Sequence, residues 1–94
     1  MRKIEYIGQF KSDFKREHKG RYGRTLDIDL KKALLYLQND LPMPNQYRDH
    51  SLSGQWKDYR DCHIKPDLIL IYRKSPEDEI LQLVRLGSHS ELGL

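Results

Sequence analysis

Cysteine is almost missing from this chain. Cys62 is the one thiol in 94 residues, so no internal disulfide can staple the fold, and the composition fits a reducing compartment. Long apolar runs are missing as well. The longest, Leu68-Ile69-Leu70-Ile71-Tyr72, has five residues, against about 20 for a membrane span and roughly 7–15 for the apolar stretch of a secretory leader. Both shortages point to a cytoplasmic protein without a membrane partner. There is no internal repeat and no low-complexity tract. Neither GxGxxG nor GxxxxGKS/T is present to cradle a nucleotide phosphate. HxxxH and HxH pairs are absent too, so neither a preformed zinc site nor any other cofactor is expected.

What remains is short, polar and charged. The length fits one domain, residues 1–94, with one modest core. Charged residues make up 33%, but nine aromatics and several aliphatic runs argue for a folded chain. The net charge of +3 is unevenly placed: residues 1–32 carry +5 and residues 33–94 carry −2. The basic third holds Lys11, Lys15, Arg16, Lys19, Arg21, Arg24, Lys31 and Lys32. A basic face of that size suits an anionic partner such as nucleic acid, and equally a solvated helix surface.

Periodicity predicts the order β-α-α-β-β-β. Arg2 to Tyr6 alternates as a first strand. Ile7, Phe10 and Phe14 recur at helical spacing, and Gly20 and Gly23 end that helix near His18. Thr25 is placed to cap a second helix, with the stripe Leu26, Leu30, Ala33, Leu34 and Leu37, stopping before Pro42. After a polar loop from Leu41 to Ser53, closed by Gly54, come strands over Trp56–Ile64, Leu68–Lys74 and Ile80–Leu86. Lys65-Pro66-Asp67 and Ser75-Pro76-Glu77-Asp78 are short enough for antiparallel hairpins. The fold class is α+β, with two N-terminal helices on one face of a curved antiparallel sheet.

Alternation along Tyr59-Arg60-Asp61-Cys62-His63-Ile64 divides the chemistry from the core. Cys62 and Ile64 face the helices. Tyr59, Asp61 and His63 share the opposite face, which two helices leave uncovered. Cys62 and His63 point apart, so they do not form a nucleophile–base pair. Trp56 and Tyr72 read as core or core edge, and His18 as exposed and inert.

The string Asp49-His50, Leu52, Gly54, Trp56-Lys57, Tyr59-Arg60-Asp61, His63, Pro66-Asp67, Leu70-Ile71-Tyr72, Arg85, Gly87 and His89 resembles the YafQ branch of the RelE/ParE superfamily of bacterial toxins. The similarity begins at Ile4-Glu5-Tyr6-Ile7-Gly8-Gln9 and covers essentially the whole chain. It implies a ribosome-dependent messenger-RNA endonuclease, the toxin of a type II toxin–antitoxin pair, with a cognate antitoxin, the ribosome and mRNA as partners. Carried over residue by residue, it implies His50, His63, Asp67 and His89 as catalytic, with Asp61 and Arg85 in support. One departure stands out. The family commonly has a phenylalanine after the last histidine, whereas Ser90-Glu91-Leu92-Gly93-Leu94 offers only leucines, which stack weakly on bases.

The chemistry expected from this set is attack of a ribose 2′-OH on the adjacent phosphate. Imidazole suits both proton transfers, with a reference pKa of about 6.5. His89 is expected to be the acid. His63, oriented by Asp67 or Asp61, is expected to be the base, unless Asp67 is the base itself. His50 and Arg85 would hold the phosphate. Lys11, Lys15, Arg16, Lys19, Arg21, Lys31 and Lys32 are expected to dock on ribosomal RNA. Three alternatives stand beside this: a ParE-like gyrase inhibitor, a ribosome- or RNA-binding module with a degenerate site, and a metal hydrolase.

Overall fold

The computed structural model describes residues 1–76 and 79–94. The chain begins with β1 (Lys3–Tyr6), α1 (Gly8–His18) and α2 (Leu26–Gln38). Next come a 3₁₀ turn at Asn45–Tyr47, β2 (His50–Ser51) and a second such turn at Gly54–Trp56. It ends with β3 (Arg60–Lys65), β4 (Leu68–Ser75), β5 (Ile80–Gly87) and the short α3 (His89–Leu92). The α1 end at His18 and the start of β4 fall where the periodicity puts them. Of the expected hairpin 75–78, residues 77 and 78 lie outside the described residues, and Ser75 pairs with Ile80 across it.

The apolar stripes pack as their spacing requires. Phe10 of α1 and Leu26, Leu30, Leu34 and Leu37 of α2 are buried against Leu70, Tyr72, Leu81 and Leu83. Each such side chain contributes roughly 1.5–3 kcal/mol on burial. β4, at the centre of the sheet, is buried from Leu68 to Tyr72, as its unbroken apolar run demands.

The structure departs from expectation in four places. The five strands lie in the order β1-β5-β4-β3-β2, and β1 pairs with β5 in parallel, so the sheet is mixed. The two helices and three strands between β1 and β5 form the crossover that parallel pairing needs. Second, Trp56 lies in a turn and not in β3: Gly54 (φ 65) and Asp58 (φ 78) take left-handed backbone, which breaks a strand. Third, Thr25 precedes α2 without capping it through its side chain. Fourth, the face opposite α1 and α2 is not bare. Leu92 of α3 is buried there with Ile69 and Ile71, and Leu52, Trp56, Tyr59 and Val84 pack around them. Leu92 is therefore core, and only Leu94 of the two tail leucines is exposed.

α1 also closes the sheet edge that β1 leaves open. Beyond Leu83 of β5, the backbone turns to α1 side chains: the Leu86 N–H donates to Asp13 Oδ2 (3.0 Å), and Arg16 Nη2 donates to the Leu86 carbonyl (2.8 Å). Between Ile71 and Tyr72 the register with β5 shifts, so that they oppose Arg85 and Leu83 with Val84 as the extra residue. Bulges re-aim the side chains beside them. Arg85 donates to Asp13 from Nε at 2.7 Å.

Candidate active site

Three imidazoles line up on the face away from the long helices. His50 comes from β2, His63 from β3 and His89 from the first turn of α3. The His63 ring centroid lies 6.5 Å from that of His50 and 5.3 Å from that of His89. The cluster owes this to register: His50 sits opposite Asp61 in the β2–β3 pair, and strand alternation puts His63 on the face of Asp61. His89 arrives through a capping box at the start of α3. The Ser88 hydroxyl accepts from the Glu91 N–H, and the Glu91 carboxylate accepts from the Ser88 N–H (2.9 Å). The sequence signal for this was Ser88-x-x-Glu91.

Each imidazole is held by the same atom. Nδ1 lies 2.7 Å from the Arg48 carbonyl in His50, 3.3 Å from the Pro66 carbonyl in His63 and 2.6 Å from Asp67 Oδ1 in His89. Carbonyls and carboxylates only accept, so Nδ1 carries a proton in all three, and among the described residues no hydrogen bond occupies Nε2 of any of them. The Arg48 carbonyl reaches His50 because Arg48 takes left-handed backbone (φ 48), which costs a non-glycine residue about 1–2 kcal/mol.

The carboxylates are shared out differently from the expectation. Asp67 pairs with His89, taking both its backbone N–H (3.0 Å) and its ring N–H, and not with His63. These bonds, the backbone one foremost, hold the Asp67 carboxyl below the usual carboxylate range, and Arg21 adds a smaller pull. Asp61 lies at 3.1 Å from His50 Nδ1, but that N–H goes to the Arg48 carbonyl, which leaves Asp61 Oδ1 buried without a hydrogen bond. Asp61 is 2% exposed. Burial pushes its carboxyl above the ordinary value, against the opposing pull of His50 and His63.

The sign of this shift sets a pH dependence. A carboxyl raised in the folded state binds protons more tightly folded than unfolded. Its contribution to stability therefore falls as pH rises from the unfolded pKa, about 3.9, through the folded one. Asp61→Asn is expected to raise the thermal midpoint at neutral pH and to remove that fall, while lowering cleavage because His50 loses its facing charge. Melting curves from pH 4 to 8 beside rate measurements check both; an unchanged pH profile of stability would count against a buried, hydrogen-bond-free Asp61.

The remaining site residues divide. Arg85 is half-buried in the row of His50, Asp61 and Ile71, with its Nε edge committed to Asp13. Arg16, expected on the docking surface, turns inward to Asp13, Glu17, Glu91 and the Leu86 carbonyl. Lys11, Lys15 and Lys31 line an apolar cleft between α1 and α2. Lys19 and Arg21 follow α1, and Lys32 borders a second cleft with Arg48, His63 and Lys65. Asp13 was missed, although an acid inside the Phe10–Phe14 stripe is a readable sign of a buried partner. Burial raises its carboxyl, but the Arg85 and Leu86 hydrogen bonds outweigh that and leave it lowered. Among the described residues, no three histidines, cysteines or acids are placed to hold a metal ion.

The fold is α+β, and on one face it gathers three imidazoles with Asp61 and Asp67 against them. Residues 2–93 match the family described as bacterial toxin of type II toxin-antitoxin system, YafQ. The chain is 44% identical over 93 residues to the mRNA interferase toxin YafQ of Escherichia coli K12, covering 97% of this chain and 95% of that protein. Among solved structures, the E. coli DinJ-YafQ complex superposes with a TM-score of 0.76 at 40% identity, covering 98% of each chain. A metal-bound toxin from Helicobacter pylori superposes at 0.82 with 39% identity, covering 98% of this chain and 99% of that one. The chain belongs to the YafQ family of bacterial type II toxins, and it is an endoribonuclease of that family.

Proposed function

We propose that this protein cleaves messenger RNA on the translating ribosome and is held in check by a cognate antitoxin. The observation that carries the reading is the file His50–His63–His89, with one carboxylate at each end. The E. coli relatives are mRNA interferase toxins, and one is solved in complex with DinJ, which supports messenger as substrate and a protein antitoxin as partner.

The chemistry follows from what each ring is bonded to. His63 Nε2 takes the proton of the 2′-OH, whose oxygen bonds to the adjacent phosphorus. The bond from phosphorus to the 5′-oxygen breaks, and His89 gives that oxygen its proton. Asp67 fixes the His89 ring and balances the charge of its protonated form, as a carboxylate does beside other catalytic imidazoles. His50 and the outward part of Arg85 neutralise the phosphorane. Products are a 2′,3′-cyclic phosphate and a 5′-hydroxyl. Lys11, Lys15, Lys19, Arg21, Lys31 and Lys32 supply the phosphate contacts that seat the domain on ribosomal RNA.

The test is inducible expression with mapping of RNA 5′ ends and of their chemistry. Codon-phased cuts in translated messengers, bearing 5′-hydroxyl ends, are expected. Ends bearing 5′-phosphate would reject the 2′-OH route, and equal cutting of untranslated RNA would reject the ribosome as platform.

A further inference from the structure

Asp49 precedes His50 by one residue and points the other way. The strand they enter, β2, has two residues and two register positions on β3, so its ladder alone is a weak clamp. The clamp lies on the helix side of the sheet. There the Asp49 carboxylate accepts from the Tyr72 hydroxyl and from Arg60 Nη2 (3.0 Å). Tyr72 is 1% exposed in the central strand, so this anchor is as rigid as the core. Burial, and then the bond to Asp49, push the Tyr72 hydroxyl up in pKa and keep it a donor.

We propose that Asp49 is a positioning residue: gripped by Tyr72 and Arg60 beneath the sheet, it fixes β2 so that His50 emerges on the opposite face with Nδ1 on the Arg48 carbonyl and Nε2 open to substrate. This rests on the reading of His50 as part of the RNA-cleaving site. Asp49 itself touches none of the other imidazoles; it acts through the backbone of its neighbour.

The experiment uses the full chain with Asp49→Ala, Asp49→Asn and Tyr72→Phe, and His50→Ala as reference. Cleavage of a translated reporter messenger gives kcat and KM separately. The ¹⁵N shifts of the His50 ring report its tautomer in the free protein. Asp49→Ala is expected to lower kcat by about 30-fold, within the loss that a 1 Å misplacement brings, with KM within about two-fold. Its His50 ring should show averaged tautomer shifts while His89 keeps those of the parent. Asp49→Asn retains an acceptor for Tyr72 and should recover most of the rate. Tyr72→Phe should reproduce the averaging, and it replaces Asp49→Ala if that variant does not fold. Unaltered His50 shifts in the folded variant would overturn the proposal whatever the rates. If His50→Ala cleaves like the parent, the catalytic reading of His50 fails, while the ring shifts still decide whether Asp49 positions it.

Discussion

Replacing His89 with alanine is expected to slow messenger cleavage by about 10²–10⁴-fold, the usual contribution of one positioned proton donor. His89 is the imidazole whose Nδ1 meets a carboxylate by hydrogen bond, at 2.6 Å, and its ring is half exposed, so substrate can reach it. The loss should fall on kcat, because the 5′-oxygen needs its proton only as the bond to phosphorus breaks. Asp67→Asn should reproduce part of the defect, since an amide accepts the ring N–H but carries no charge to balance the imidazolium. Single-turnover cleavage of a programmed ribosome gives the measurement. A rate within about three-fold of the parent would remove His89 from the acid role.

The largest stability effect is expected at Asp13. The carboxylate is fully buried and carries Arg85, Arg16 and the Leu86 N–H. Removing one partner of a buried ion pair costs about 3–5 kcal/mol. Arg85 and Arg16 keep 23% and 42% of their side-chain surface, and the screening this brings reduces the figure to about 2–3 kcal/mol. For a domain of this size that lowers the melting midpoint by about 10–20 °C. The pH sign is opposite to that of Asp61. The Asp13 carboxyl is lowered in the folded state, so its contribution is present above the unfolded pKa of about 3.9 and is lost as pH falls through the folded value. Asp13→Ala should therefore flatten the acid limb of the stability curve. A shift under about 2 °C at pH 7 would show that the network contributes little.

Much of the fold was legible because its apolar spacing was strong. The stripe from Leu26 to Leu37 and the run Leu68 to Tyr72 fixed α2 and β4, and a short linker fixed the hairpin between β3 and β4. The parallel partner of β1 was not legible, because Lys3 and Ile80 are joined by no local signal. β2 escaped notice for a related reason: two residues carry no period, and Arg48 adopts left-handed backbone without the glycine that advertises it. The resemblance to the toxin family supplied the identities of His50, His63, Asp67 and His89, and strand alternation placed Asp61 and His63 on one face. Neither gave the pairing of carboxylates to rings, which depends on the turn at Pro66 and on the Ser88–Glu91 box. Asp61 was expected on an uncovered face, but it is buried there with His50 at 3.1 Å, while α3 and the Gly54–Trp56 turn fold over Ile69 and Ile71 on the same side.

The parallel pairing of β1 with β5 has a bearing on how the protein is born. The first strand made finds its neighbour only after Ile80 to Leu83 have been synthesised, and His89 arrives later still. Any nascent chain halted before Ile80 has an unmated sheet edge and lacks the third imidazole of the file.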